Sequence, residues 1–181
     1  MLTTLKRAIA GLVVLGFCLG QAAVAEVPAT VQAKAKTLAW IGSDPVVVEA
    51  VKEHNAHLSP EATSMTNETW KGLTVLDKFV RSFSKNAVVE HLKEKQDPAV
   101  SELFISGADG TKVAFFAKTS SWSHKGKDKH EVPMQGEVWF GDVEVDDSAG
   151  VEQIQVGFPV LDEETPIGSV VVGLALDKLG S

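Results

Sequence analysis

The spacing of apolar residues from Val27 to His57 predicts helical structure. Within this range they recur three or four positions apart, which places them on one face of an amphipathic helix. The residues of this face are Val31, Ala35, Leu38, Ile41, Val48 and Val51. Pro45, with Ser43 or Asp44 before it as a cap, predicts a break or a new first turn. We therefore expect a long N-terminal helix that is interrupted near Pro45.

Further helices are predicted before the chain reaches Asp97-Pro98. Ser59-Pro60-Glu61 is a helix-start signal, because a capping residue precedes proline at the first helical position. An apolar stripe with helical spacing then predicts a helix from Trp70 to Phe83. Its members are Trp70, Leu73, Leu76, Phe79, Val80 and Phe83. A shorter helix is predicted over Ala87–Lys95.

From Glu102 onward apolar and polar residues alternate, which is typical of strands. The predicted strands lie near residues 102–106, 111–118, 137–145, 152–160 and 166–176. Asp109-Gly110 between the first two apolar runs is a strong signal for a hairpin. Thr119–Gln135, here called the insertion, is too long for a hairpin turn, and such segments are often functional. This order predicts an α+β fold with the long N-terminal helix packed on a five-stranded antiparallel sheet.

Residues 1–25 have the organisation of a secretory signal peptide. Basic residues precede the apolar stretch Ala8–Gly20, and Ala23-Val24-Ala25 supplies the small residues that signal peptidase recognises. We predict cleavage after Ala25, a periplasmic or secreted product, and one domain over residues 26–181. An uncleaved membrane anchor is the alternative, because the 18 charge-free residues that end at Ala25 are only just enough to span a bilayer.

Composition excludes some classes of function. The chain has 24 acidic residues against 17 Lys and Arg, and its net charge of −7 becomes more negative when Lys6 and Arg7 leave with the signal peptide. A general nucleic-acid binder needs a basic face, so we expect no nucleic-acid partner. Cys18, the only cysteine, lies in the signal peptide. We therefore expect no disulfide, no thiol nucleophile and no cysteine-ligated metal after cleavage, and no cofactor.

Several segments, taken in order, resemble the extracytoplasmic single Cache sensors, also called PDC domains. The segments are Asp44–Val51, Glu102–Ile105 with Asp109-Gly110 and Val113-Ala114, Gly141–Gly150, and Val156–Asp162 with Pro166–Gly173. They cover nearly the whole exported chain, and their order and spacing carry the resemblance rather than any one motif. The resemblance implies a PAS-like fold and an exported sensing module that binds a small molecule and has no enzymatic activity.

Two features depart from that family. Many relatives carry an Asp and an aromatic residue after Thr-Ser in the segment behind the second strand, whereas this chain has Ser121 before Trp122. The amine-recognising chemistry of amino-acid sensors is therefore not carried over. Relatives usually lie between two membrane spans and feed a kinase, cyclase or chemoreceptor domain. Because this chain stops at Ser181, we expect either a partner, such as a membrane sensor protein, that receives its ligand state, or binding alone.

The insertion contains the most unusual local composition. Trp122–His130 holds three lysines and two histidines within an acidic chain. Ammonium and imidazole groups attract carboxylate or phosphate, so one interpretation is a loop that receives an anion; a solvated surface loop is the other. For a ligand site between the sheet and the insertion, the candidate residues are Trp122, His124, Lys125, Lys129, His130, Trp139 and Asp142. A carboxylate is the ligand that we expect.

The face of the sheet to which Trp139 points depends on one backbone detail. Asp142 and Glu144 share the face of Trp139 only if Gly141 introduces a bulge; without it they share the face of Phe140. The sequence leaves both possibilities open.

Two other functions also stay open. The protein could be an enzyme that uses Glu or Asp with His124 or His130 as acid and base, or an adaptor that binds proteins without a ligand. A convergent nucleophile–base pair would favour the enzyme, and a filled pocket would favour the adaptor. A metal held by these histidines with Asp128, Asp142 or Glu144 is not required by the spacing, and we expect none.

Overall fold

The computed structural model describes residues 27–146 and 150–179, so the predicted signal peptide lies outside the described residues. The elements are α1 (Ala29–Leu38), α2 (Pro45–Ala56), α3 (Pro60–Ser64), α4 (Asn67–Gly72), α5 (Lys78–Ser84), α6 (Ala87–Glu94), β1 (Val100–Gly107), β2 (Lys112–Phe115), α7 (Asp128–Glu131), β3 (Trp139–Asp146), β4 (Val151–Asp162) and β5 (Thr165–Ala175). None of the helices in these ranges is long and apolar enough to cross a bilayer.

The predicted N-terminal helix is two helices, α1 and α2, joined by a 3₁₀ segment over Ala39–Ser43. The break before Pro45 is confirmed, and Asp44 is the cap: its Oδ1 accepts from the amide of Val46 at 3.0 Å. The other oxygen of Asp44 accepts from Nε2 of His91 at 2.9 Å and from Nζ of Lys95 at 3.2 Å. These bonds tie α6 to the start of α2.

The single helix predicted from Trp70 to Phe83 is wrong, because the stripe is divided between α4 and α5. Between them Oδ2 of Asp77 accepts from the amide of Thr74 at 2.5 Å and from its hydroxyl at 3.0 Å. A side chain that bonds the backbone in this way competes with the helical pattern and favours a turn. The apolar residues of the two short helices still meet over one face of the sheet.

The five strands form one antiparallel sheet in the order β2-β1-β5-β4-β3. The predicted strands agree with the observed ones within a few residues, except that β2 ends at Phe115 instead of near residue 118. With the N-terminal helices packed on one face, this order confirms the predicted PAS/Cache-like α+β fold.

The two faces of the sheet have different chemistry. One face packs against α1, α2 and α6 and is apolar, with Leu103, Ile105, Val156, Val172 and Leu174 among its buried residues. The other, here called the site face, is covered by α4, α5 and the insertion. Its apolar side chains include Phe104, Phe115 and Val171. It also carries a row of buried polar side chains, which are Ser106, Lys112, Gln153, Gln155 and Ser169.

Candidate functional site

Hydrogen bonds attach the start of the insertion to the hairpin between β1 and β2. Ser123 forms an isolated antiparallel bridge with Thr111, and the amide of His124 donates to the carbonyl of Gly110 at 2.9 Å. Gly110 has φ of +79°, and a side chain there would meet the backbone of Lys125. The side chain of Asn67 also bonds the backbone of Ser123 at both its amide and its carbonyl. His124 is thereby held over the site face.

The second half of the insertion packs directly on β4. A Cβ atom on Gly157 would lie 3.0 Å from the carbonyl oxygen of Lys129 and 3.1 Å from Cγ of Pro133. Both are closer than nine in ten real contacts of a Cβ atom. The absence of a side chain at this position therefore lets the insertion approach the sheet.

A buried lysine lies beneath the insertion. Lys112 has 0% exposure, and its Nζ lies 2.5 Å from Nδ1 of His124 and 3.3 Å from Oγ of Ser106. The same Nζ lies over the ring of Phe104, 4.5 Å from its centroid. His124 stacks on that ring at 4.7 Å between centroids. An amine from the sheet and an imidazole from the insertion thus share one aromatic platform.

Burial lowers the pKa of both groups of this pair. Desolvation is the main cause that lowers the pKa of Lys112 well below 10.5; Lys129 adds to the effect and Glu102 opposes it. Burial also lowers the pKa of His124 to about 2, and the charge of Lys112 is the next cause. The neutral imidazole nitrogen of His124 therefore accepts, and Nζ of Lys112 donates.

A serine–histidine contact lies beside this pair. Ser169 on β5 is paired directly with Ser106 on β1. Its Oγ lies 2.7 Å from Nδ1 of His130, which is 2% exposed. Desolvation lowers the pKa of His130, and a hydrogen bond with the backbone of Ala108 acts in the opposite direction. Both histidines of the insertion therefore point into the interior.

A chain of polar side chains continues across the sheet. Nζ of Lys129 donates to Oε1 of Gln155, and Nε2 of Gln155 donates to Oε2 of Glu102 at 2.7 Å. Nζ of Lys129 also lies 5.8 Å from the centroid of the Trp139 ring. These contacts link α7, β4 and β1 at the side of the site that faces β3.

Aromatic rings close the opposite side of the site. Trp122 lies 5.2–5.4 Å, between ring centroids, from Trp70, Phe79 and Phe83. Nε1 of Trp70 donates to the carbonyl of Thr119 at 2.7 Å. In contrast, Nε1 of Trp122 is buried and has no hydrogen-bond partner among the described residues. A buried donor without a partner is unusual and calls for an explanation.

The structure places five of the seven predicted site residues around this cluster. They are Trp122, His124, Lys129, His130 and Trp139. The other two predicted residues, Lys125 and Asp142, are exposed, and neither takes part in the contacts that define the cluster. The bulge at Gly141 is present, because Phe140 pairs with Val156 and Val143 with Ile154. It puts Glu144 on the face of Trp139.

The sequence did not single out several residues at the centre of the cluster. These are Lys112, Ser106, Ser169 and Gln155. Lys112 was assigned only to a strand. Within residues 27–146 and 150–179, no three potential metal ligands of the His, Asp and Glu type come together.

The space predicted for a ligand is occupied by side chains of the insertion. Trp122, His124 and His130 fill it, each less than 10% exposed. Three cavities lie elsewhere and are lined by no residue of the insertion: a groove of about 640 Å³ between α2 and α6, one of about 520 Å³ beside α5 and β2, and one of about 250 Å³ beside α1 and β3.

Comparison with known proteins finds no matching family model and no matching curated protein. The sensor domain of the histidine kinase DctB from V. cholerae has a TM-score of 0.48 and 12% identity, over 83% of this chain and 52% of that chain. The ligand-binding domain of the Campylobacter jejuni chemoreceptor Tlp3, in complex with 4-methylisoleucine, has a TM-score of 0.40 and 9% identity, over 84% and 62%.

The ligand-binding domain of the amino-acid chemoreceptor PctC from Pseudomonas aeruginosa PAO1, in complex with GABA, has a TM-score of 0.37 and 13% identity, over 82% of this chain and 62% of that chain. The chain thus spans less than two thirds of the length of these structures. By its own sheet order and helix placement, the chain has a PAS/Cache-like α+β fold.

Proposed function

We propose that the protein is an exported small-molecule-binding module of the sensing type, and that its ligand site lies between the site face and the insertion. The observation that carries the proposal is the cluster of buried Lys112, His124 and His130 with half-buried Lys129. The proposed ligand is a small anion such as a carboxylate, and the proposed partner that receives the ligand state is a membrane sensor protein.

The unfavourable free energy of burying these amines and imidazoles supports a functional role for the cluster. Burying amines and imidazoles away from water is unfavourable unless they are fully paired, and titratable groups with strongly lowered pKa values concentrate at functional sites. Two lysine amines and two histidine imidazoles converge here in a chain of net charge −7. Nε1 of Trp122 adds a donor that a ligand oxygen can satisfy.

The space between the insertion and the sheet is filled by side chains, and this observation favours the alternative of a protein-binding adaptor. An adaptor would keep this interior unchanged when it binds a partner. A binding module must instead exchange its own side-chain contacts for contacts with a ligand. The two functions therefore differ in whether any small molecule stabilises the protein through Lys112.

A second candidate function rests on Ser169 and His130, whose 2.7 Å contact is the start of a nucleophile–base pair. The predicted acid–base enzyme paired a histidine with a carboxylate, whereas here the histidine contacts are with Ser169 and Lys112. A fluorophosphonate probe tests this alternative. Labelling at Ser169 that is lost in Ser169→Ala would support an enzyme, and an unlabelled protein would oppose it.

Thermal-shift screening of the purified exported protein tests the proposal. We expect at least one mono-, di- or tricarboxylate to raise the Tm, because a ligand that binds only the folded state stabilises it. Lys112→Met should abolish that rise, and Lys125→Met, which makes the same substitution at an exposed position, should retain it. If both variants lost the rise in Tm equally, or if no anion raised the Tm of the unaltered protein, the proposed function would be contradicted. N-terminal sequencing of the exported protein should give Glu26 first.

A further inference from the structure

The sheet and the insertion contribute differently to the Lys112–His124 contact. Lys112 belongs to β2, where it pairs with Ser106 in the backbone ladder. His124 follows the single bridge between Ser123 and Thr111 and is outside any strand or helix. The lysine is therefore the partner fixed in the sheet, and the imidazole can leave the contact by rotation of its own side chain while the backbone of His124 stays bonded to Gly110.

We propose that His124 holds the place of the ligand's anionic group, that a carboxylate takes over the amine of Lys112 from the imidazole, and that binding takes up one proton. The inference rests on the proposed function, because it concerns the same site. The neutral amine of Lys112 takes a proton from the acid form of the buffer, which is left as its conjugate base, and the resulting ammonium pairs with the carboxylate; apart from this proton transfer no covalent bond changes. A carboxylate oxygen replaces Nδ1 of His124 as the acceptor for Nζ of Lys112, while Oγ of Ser106 continues to accept from the same nitrogen.

The charges around Lys112 explain why the proton arrives with the anion. Glu102 on β1 favours the ammonium form, whereas Lys129 on α7 opposes it. From the insertion, His124 and His130 face the site as neutral rings because burial lowers the pKa of both. With the imidazole of His124 as its neighbour, desolvation is the largest influence on the pKa of Lys112. A carboxylate in hydrogen-bond contact reverses the balance, since an adjacent opposite charge favours the charged form of an amine.

Removal of the imidazole provides a test that needs no knowledge of the natural ligand. His124→Ala opens space next to Lys112, and acetate is the probe. We expect acetate to raise the Tm of this variant and to bind it at least about tenfold more tightly than Lys112→Met/His124→Ala. Calorimetry at pH 8 in two buffers with different ionisation enthalpies should show about one proton taken up per acetate. His124→Ser serves as a second variant if the alanine variant does not fold.

Two results would overturn the inference: equal acetate affinity in the single and double variants, or binding without proton uptake. Its failure is distinguishable from failure of the proposed function. If the unaltered protein binds a carboxylate through Lys112 but takes up no proton, the function stands and the inference falls. If no carboxylate stabilises the unaltered protein although the His124→Ala variant binds acetate, the proposed function falls.

Discussion

Nζ of Lys112 lies 2.5 Å from Nδ1 of His124, and both side chains are buried between the sheet and the insertion. The contact joins the second strand to the segment that covers the site face. Because desolvation lowers the pKa of each group, the folded state keeps the pair neutral over pH values at which the unfolded chain is protonated. The stability of the protein should therefore depend on pH on both sides of neutrality.

Lys112→Met should remove a gain in stability at alkaline pH. Burial lowers the pKa of Lys112 well below 10.5, so between the folded and unfolded pKa values the unfolded chain binds the extra proton. Stability of the unaltered protein should then rise with pH, relative to the variant, by up to about 1.4 kcal/mol per pH unit until roughly pH 10. Urea unfolding at several pH values from 7 to 10 measures this difference.

Lys125→Met is the matched control for that experiment, because it removes a lysine that is exposed on the insertion. Its stability should run parallel to that of the unaltered protein over the same pH range. Parallel curves for Lys112→Met and the unaltered protein would mean that the lysine amine is charged in the folded state.

His124→Gln should reduce the sensitivity of the fold to mild acid. Burial, with the charge of Lys112 as the next cause, lowers the pKa of His124 to about 2 from 6.5. As pH falls below 6.5 the unfolded chain gains a proton that the folded chain excludes, so stability declines by up to about 1.4 kcal/mol per pH unit. The variant should lose less stability between pH 6.5 and 4.5 in denaturant titrations. His57→Gln, at an exposed position, should behave like the unaltered protein.

Gly157→Ala should push the insertion away from the sheet. The new Cβ would lie 3.0 Å from the carbonyl oxygen of Lys129 and 3.1 Å from Pro133, and overpacking of this kind costs about 1–3 kcal/mol. We expect a lower Tm and faster amide exchange over residues 119–135. Gly72→Ala is the control, because a Cβ at Gly72 meets no atom within 4 Å. If both variants exchange at the same rate in the insertion, Gly157 does not determine how closely it packs.

Local signals in the sequence predicted helices and strands correctly where they agreed with the tertiary packing of the domain. Asp44 and Pro45 together specify a helix start, and α2 begins there. Alternation from Glu102 onward indicates the strands, because each one places one face against the N-terminal helices. The basic and aromatic composition of the insertion also pointed to His124 and His130, which lie inside the site.

Because of a register shift between β1 and β2, the orientation of Lys112 could not be predicted from the sequence. Strict alternation along β2 puts Lys112 on the same face as Ala114, which packs against the helices. The pairing instead shifts between Ile105 and Ser106, so Lys112 pairs with Ser106 and turns to the site face. A bulge adds one residue to one strand and reverses the faces beyond it. The local sequence contains no signal for this shift.

Tertiary contacts also decide which charged residues of a loop are buried. Lys125 and Lys129 are the same residue type, four positions apart in the insertion. Lys129 lies on the short helix α7 and donates to Gln155, whereas Lys125 is exposed. Asp142, which lies within the register shift between Phe140 and Val143, is exposed. Each outcome depends on contacts between residues distant in sequence, which hydrophobic spacing does not encode.

The protonation state of Lys112 with and without an anion tests the central claim most directly. The exported protein, labelled with ¹³C-lysine, would be titrated at pH 8 with the carboxylate that gives the largest thermal shift, while the ε-carbon resonance of Lys112 is followed by NMR. We expect a neutral amine in the free protein and an ammonium group at saturation. If the resonance of Lys112 stays unchanged while other residues respond, the ligand binds elsewhere and the account of this site is wrong.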